Sequence, residues 1–152
     1  MFPGTNCEYD SARAFKKAGA VPRIVLIRNK TQKDIEDSVK EFVEAINESQ
    51  IIMFPGGFSA SDEPEGSGKF IATVLRNPQV KEAIADLMDH REGLIIGICN
   101  GFQALIKTGL LPDGFIHDMS SDDPTLTFNM IGRHVSQMAT TRISSVKSPW
   151  LR

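Results

Sequence analysis

Apolar positions along the chain recur in two rhythms, one of helical spacing and one of short unbroken runs. Residues 8–18 set Tyr9, Ala12, Phe15 and Ala18 along one helical stripe that stops at Gly19. The run "PRIVLI" at 22–27 then predicts a strand. Across residues 34–47, Ile35, Val39, Phe42, Val43 and Ile46 fall at i, i+4, i+7, i+8 and i+11, the strongest helix signal in the chain. "IIMF" at 51–54 predicts a buried strand, halted by Pro55-Gly56-Gly57.

A polar stretch follows, and residues 68–75 read as helical. Asn77-Pro78 opens the next helix, with Val80, Ile84, Leu87 and Met88 on one face. Residues 93–98 predict a strand and residues 100–108 a helix closed by Gly109. This alternation implies an open, mostly parallel sheet with helices on both faces. Beyond Pro112 the rhythm changes. "LTFNMIG" (126–132) and "RHVSQMATTRISSV" (133–146) alternate like antiparallel strands, with no helix between them. The chain opens on a strand-to-helix turn, Phe2 to Asn6, with almost no strand before it, and closes on Ser148-Pro149-Trp150. The expectation is one partial domain over residues 1–152, lacking its first strand and a C-terminal segment.

Composition narrows the function classes. With 152 residues, 41% of them hydrophobic and 24% charged, the chain suits one globular domain. A formal charge of −2 offers no basic footprint for a phosphate backbone, so nucleic acid is not an expected partner. No apolar run approaches the roughly 18 residues of a membrane span, and residues 1–4 lack the form of a signal peptide. The expected location is the cytosol, with no membrane partner. There Cys7 and Cys99 are expected as free thiols.

Candidate chemistry collects in three turns expected at the carboxyl edge of the sheet: "FPGTN" (2–6), "FPGGFS" (54–59) and "GICNGFQ" (97–103). The last has the form of a nucleophile elbow, with Cys99 on a tight strand-to-helix turn between Gly97 and Gly101. A thiol there faces a helix N-terminus, whose dipole favours thiolate. The N–H of Asn100 and one from Gly56 or Gly57 are suited to hold an oxyanion. A cysteine closing a buried strand is more often core than nucleophile; the two flanking glycines and the separate Pro-Gly-Gly turn favour catalysis. Cys7 reads as structural. "EGSGK" (65–69) is rejected as a phosphate loop, because Glu63 stands where its first glycine belongs and Phe70 replaces the Ser or Thr. His90-Arg91-Glu92 reads as a solvated helix end, and His117 and His134 as surface groups, so none supplies a general base.

"FPGTNCEYDSARAF", "FPGGFSASDEPEGSGKFIATVLRNP" and "GICNGFQALIKTGLLP" resemble the class I, triad-type glutamine amidotransferase domains of the phosphoribosylformylglycinamidine synthase family, over essentially all 152 residues. The resemblance implies a flavodoxin-like α/β fold. It implies that Cys99 attacks the side-chain amide of glutamine, forming a γ-glutamyl thioester and releasing ammonia. Gly56, Gly57 and Asn100 would form the oxyanion hole, and Gln103 would help to hold glutamine. The ammonia would pass to a synthetase domain of the same enzyme, which binds ATP and magnesium; no cofactor or metal is implied for these residues.

The family completes its triad with a His-x-Glu pair after the antiparallel strands, and none occurs after Cys99 in this sequence. Little or no glutaminase activity is therefore expected of residues 1–152 alone. A second reading is a non-catalytic binding or structural fragment of the same fold. A flavodoxin-like small-molecule module is a third, disfavoured by the elbow and the lack of a phosphate loop. Uncovered apolar sheet surface leads to an expectation of self-association.

Overall fold

A computed structural model describes residues 1–59 and 68–151. Its helices are α1 (Glu8–Lys17), α2 (Gln32–Glu48), α3 (Lys69–Leu75), α4 (Pro78–Asp89) and α5 (Asn100–Thr108), and its strands are β1 (Ile51–Phe54) and β2 (Leu94–Gly97). The α/β reading holds. β1 and β2 pair in parallel, Ile51 against Leu94 through Phe54 against Gly97, joined by a crossover containing α3 and α4. Helix α2 packs on α4, α3 on α5, and α5 lies across both strands.

The local chemistry sets the boundaries. Helix α2 starts two residues earlier than its apolar stripe because Thr31 and Asp34 form a capping box: Asp34 N donates to Thr31 Oγ1 and Thr31 N to Asp34 Oδ2, both at 3.1 Å. Its far end is held by Arg91, whose Nη1 donates to the carbonyls of Ile46, Asn47 and Ser49 at 3.0–3.2 Å. Val39, Phe42 and Ile46 of α2 join Val80, Ile84 and Leu87 of α4 in the buried core. Asn77 caps α4, accepting from Gln79 N at 3.0 Å, with Pro78 at the first helical position.

Two expectations are corrected. Residues 22–27 form no strand. Met1 N donates to Val25 O at 2.5 Å and Ile27 N to Met1 O at 2.8 Å, a single parallel pairing step that flanks Leu26. A ladder needs a longer partner than one residue. Between this segment, α1, α2 and β1 lies a cavity of about 130 Å³.

Residues 126–146 form no antiparallel strands either. A turn does close where the two runs meet, with Gly132 N donating to Asn129 O at 2.9 Å and Asn129 Nδ2 to Arg133 O at 3.0 Å, but no strand ladder extends from it and the flanking residues are exposed. A hairpin with no face to pack on is marginal in water. Finally, helix α1 forms but buries nothing completely: Phe15 is half-buried and Tyr9 is 78% exposed. Trp150, in a short 3-10 turn at Pro149–Leu151, is also exposed.

Candidate active site

The strand-to-helix turn after β2 puts its strain on the cysteine. Cys99 has φ 54° and ψ −110°, far from the usual basins of an L-residue, and stands immediately before α5 as its N-cap. The neighbouring bonds hold it there: Ile98 N donates to Phe54 O at 3.1 Å, Gly101 N to Ile98 O at 2.9 Å, and Gln103 N to Cys99 O at 3.0 Å.

The flanking glycines allow close approach. A Cβ on Gly101 would lie 2.2 Å from Phe54 O, and one on Gly97 would lie 2.8 Å from the carbonyl of Gly101. Any side chain at either position would push α5 off the strands that aim it. Cys99 is therefore delivered, exposed and unbonded to Cys7, at the carboxyl end of β2.

The other two turns meet at the same place. Asn6 N donates to Gly56 O at 3.0 Å and Phe58 N to Gly4 O at 2.7 Å, stitching 2–6 to 54–59 as an antiparallel bridge between Thr5 and Gly57. Gly57 has φ 120°, and a Cβ there would meet Thr5 Cα at 2.6 Å. Only glycine fits that bridge. Buried Thr5 braces it by donating Oγ1 to Phe2 O at 2.7 Å and accepting from Phe2 N at 2.9 Å. A Cβ on Gly56 would sit 3.3 Å from Cys99 Cβ and 3.9 Å from its Sγ, so this turn lies directly on the elbow.

Asn100 opens α5, so its amide N–H has no acceptor within the helix. Its side chain is buried, accepting at Oδ1 from Ser59 Oγ and donating from Nδ2 to Gln103 Oε1 at 3.4 Å. The structure thus brings Cys99, Gly56, Asn100 and Gln103 together, with Gly57 one residue further along the same turn. Ser59 closes the 54–59 turn picked out from the sequence, but that turn was read for its glycines and no role was assigned to the serine. Cys7 differs from expectation. It is an exposed thiol at φ 65° in front of α1, where it donates to Asn6 Oδ1 at 3.1 Å.

The described histidines lie elsewhere. His90 caps the C-terminus of α4, exposed and 3.2 Å from Asp86 Oδ1; the four residues of β2, about 13 Å long, separate that edge from Cys99. His117 abuts Gly109 at the far end of α5, nine residues or about 13 Å from the elbow. It is half-buried rather than a free surface group. Bonds to the Asp118 carbonyl and the Asp113 carboxylate, each 3.0 Å, raise its pKa above the usual 6.5. His134 is exposed in the irregular segment.

Asp113, His117 and Asp123 bring one potential metal-ligand atom each within 4.8 Å of one another. Both nitrogens of His117 are already occupied, each 3.0 Å from an oxygen, the Asp118 carbonyl and the Asp113 carboxylate. Of "EGSGK", residues 65–67 lie outside the described residues. Gly68, at φ 71°, begins α3 where a Cβ would meet Ala104 N at 2.5 Å, a packing role against α5. Among the described residues no helix is long and apolar enough to cross a membrane.

The family model of CobB/CobQ-like glutamine amidotransferase domains matches residues 1–152. The phosphoribosylformylglycinamidine synthase subunit PurQ of Dehalococcoides mccartyi is 40% identical over 131 residues, 86% of this chain and 46% of that protein. The same-named subunit of Treponema denticola is 37% identical over 148 residues, 90% and 49% of the two chains. That of Helicobacter hepaticus is 30% identical over 151 residues, 99% and 54%. The chain spans about half the length of these curated relatives. No solved structure matches it.

Proposed function

Because the chain belongs to the family of CobB/CobQ-like glutamine amidotransferase domains, we propose that it carries the glutamine-hydrolysing site of a phosphoribosylformylglycinamidine synthase. The observation that supports this most is the positive-φ Cys99 between β2 and α5, in contact with the Gly56 turn. The Cys99 thiolate attacks the side-chain carbonyl carbon of glutamine. The oxyanion is held by the N–H of Asn100 and an N–H of the Gly56-Gly57 turn. Collapse breaks the C–N bond, the departing nitrogen takes up a proton and leaves as ammonia, and a γ-glutamyl thioester remains. Water then adds to the thioester, giving glutamate and restoring the thiol. Gln103 contributes to holding glutamine.

The ammonia serves a synthetase partner that converts formylglycinamide ribonucleotide to the amidine with ATP and magnesium, ligands of that partner and not of these residues. The setting is the cytosol. Exposed Phe128, Met130, Ile131 and Ile143 in the irregular segment support self-association of the isolated chain.

The test is the intact mass of the chain after incubation with 6-diazo-5-oxo-norleucine, a reactive glutamine analogue, followed by peptide mapping. A single adduct on Cys99 is expected. Labelling of Cys7 and Cys99 at equal, slow rates would instead favour a non-catalytic fragment of this fold, a reading motivated by the separation of His90 and His117 from the elbow by the lengths of β2 and α5.

A further inference from the structure

The two turns that carry the proposed oxyanion donors are tied together below the surface by one side-chain bond. Ser59 and Asn100 stand 41 residues apart in sequence and are both 0% exposed, and Ser59 Oγ donates to Asn100 Oδ1. A carboxamide has one acceptor end and one donor end. With its oxygen committed to Ser59, Asn100 directs Nδ2 to Gln103 Oε1 at 3.4 Å. Gln103 then keeps its acceptor end toward Asn100, and its donor end, Nε2, is the one left for a ligand.

We propose that Ser59 is a positioning residue: through Asn100 it sets the carboxamide of Gln103 as a hydrogen-bond donor toward an acceptor oxygen of glutamine, and it holds the Gly56-Gly57 turn on the elbow. The proposal rests on the glutamine reading above. Its physical basis is the cost of leaving a buried polar atom unpaired. Without the Ser59 hydroxyl neither end of the Asn100 carboxamide has a partner at that position, so the amide is no longer fixed in one orientation. Where it turns, Gln103 follows, and an oxygen then faces the oxygens of glutamine where an N–H stood. The thiol itself is untouched by this rearrangement.

Ser59→Ala in the whole chain separates the possibilities, with thermal melting to establish that it folds. Cys99 labelling by 6-diazo-5-oxo-norleucine is expected to slow about ten- to hundredfold, the loss of one buried hydrogen bond. Labelling of Cys99 by iodoacetamide, which lacks the α-amino and α-carboxylate groups of glutamine, is expected to stay within about twofold of wild type. Equal slowing with both reagents, or no slowing with either, overturns the proposal.

A second measurement does not depend on glutamine. In the wild-type chain a side-chain amide proton of Asn100 is expected to exchange slowly with solvent by NMR, and to lose that protection in S59A. Free exchange in wild type, or unchanged protection in S59A, overturns the relay. Failure of the wild-type chain to react with the glutamine analogue while it reacts with iodoacetamide would overturn the glutamine reading instead, with the relay judged by amide exchange.

Discussion

A methyl group on Gly56 would stand 3.3 Å from the Cβ of Cys99, closer than side chains ordinarily pack and within reach of a few tenths of an ångström of adjustment. The turn and the thiol therefore share one small volume. Gly56→Ala is expected to leave the fold intact and to slow Cys99 modification by the glutamine analogue about tenfold or more, through crowding of the oxyanion position. The check is the labelling rate beside a thermal melt; a wild-type rate would place the reaction on the other side of the thiol.

Gly101→Ala belongs to another class, because its Cβ would lie 2.2 Å from the backbone oxygen of Phe54. Neither partner is a flexible side chain. Helix α5 has to back away from β1, and we expect a loss of at least about 1–3 kcal/mol, read by urea unfolding. Unaltered stability would mean that α5 does not lie against the strands as described.

His117 links stability to pH. Its pKa is raised, chiefly by the Asp118 carbonyl and then by Asp113, so the stability it contributes is present below about pH 6.5 and is lost as pH rises through the folded-state value. The NMR titration of the His117 ring should show a midpoint above the usual 6.5. A midpoint at or below 6.5 would remove the two hydrogen bonds described for it.

Ammonia release by residues 1–152 from glutamine is expected to be at least about 100-fold below that of a glutaminase with its base in place, the worth of general acid–base catalysis. A coupled assay for ammonia measures it. Release at an undiminished rate would require a base among the residues present, and would redirect attention to the histidines.

The elbow was legible because its signals are local. Gly97, Cys99 and Gly101 each answer a steric demand of one turn, and strand, turn and helix are consecutive in sequence. Helices α2 and α4 were legible from periodicity and from Asn77-Pro78. Residues 22–27 were misread because an apolar run specifies burial but not a partner, and among the described residues its backbone ladder bonds go only to Met1. The alternation in 126–146 likewise fits a strand only if another element covers one face. Ser59 and Arg91 were invisible for a different reason: each acts on backbone or amide groups about forty residues away, and no spacing rule reaches that far.

The chain has one tryptophan and one tyrosine, and both lie outside the core: Tyr9 is 78% exposed on α1, and Trp150 is exposed in the closing turn. Its buried aromatic cluster is phenylalanine, with Phe2 set 6.1 Å from Phe42 and 6.2 Å from Phe54 between ring centres. Intrinsic fluorescence excited at the usual wavelengths is consequently blind to the loss of the packing that holds Cys99. A flat emission signal during heating is what a melting core would give. Far-ultraviolet dichroism, or a tryptophan introduced by Phe42→Trp beside Phe2, would see the transition that the native fluorophores miss.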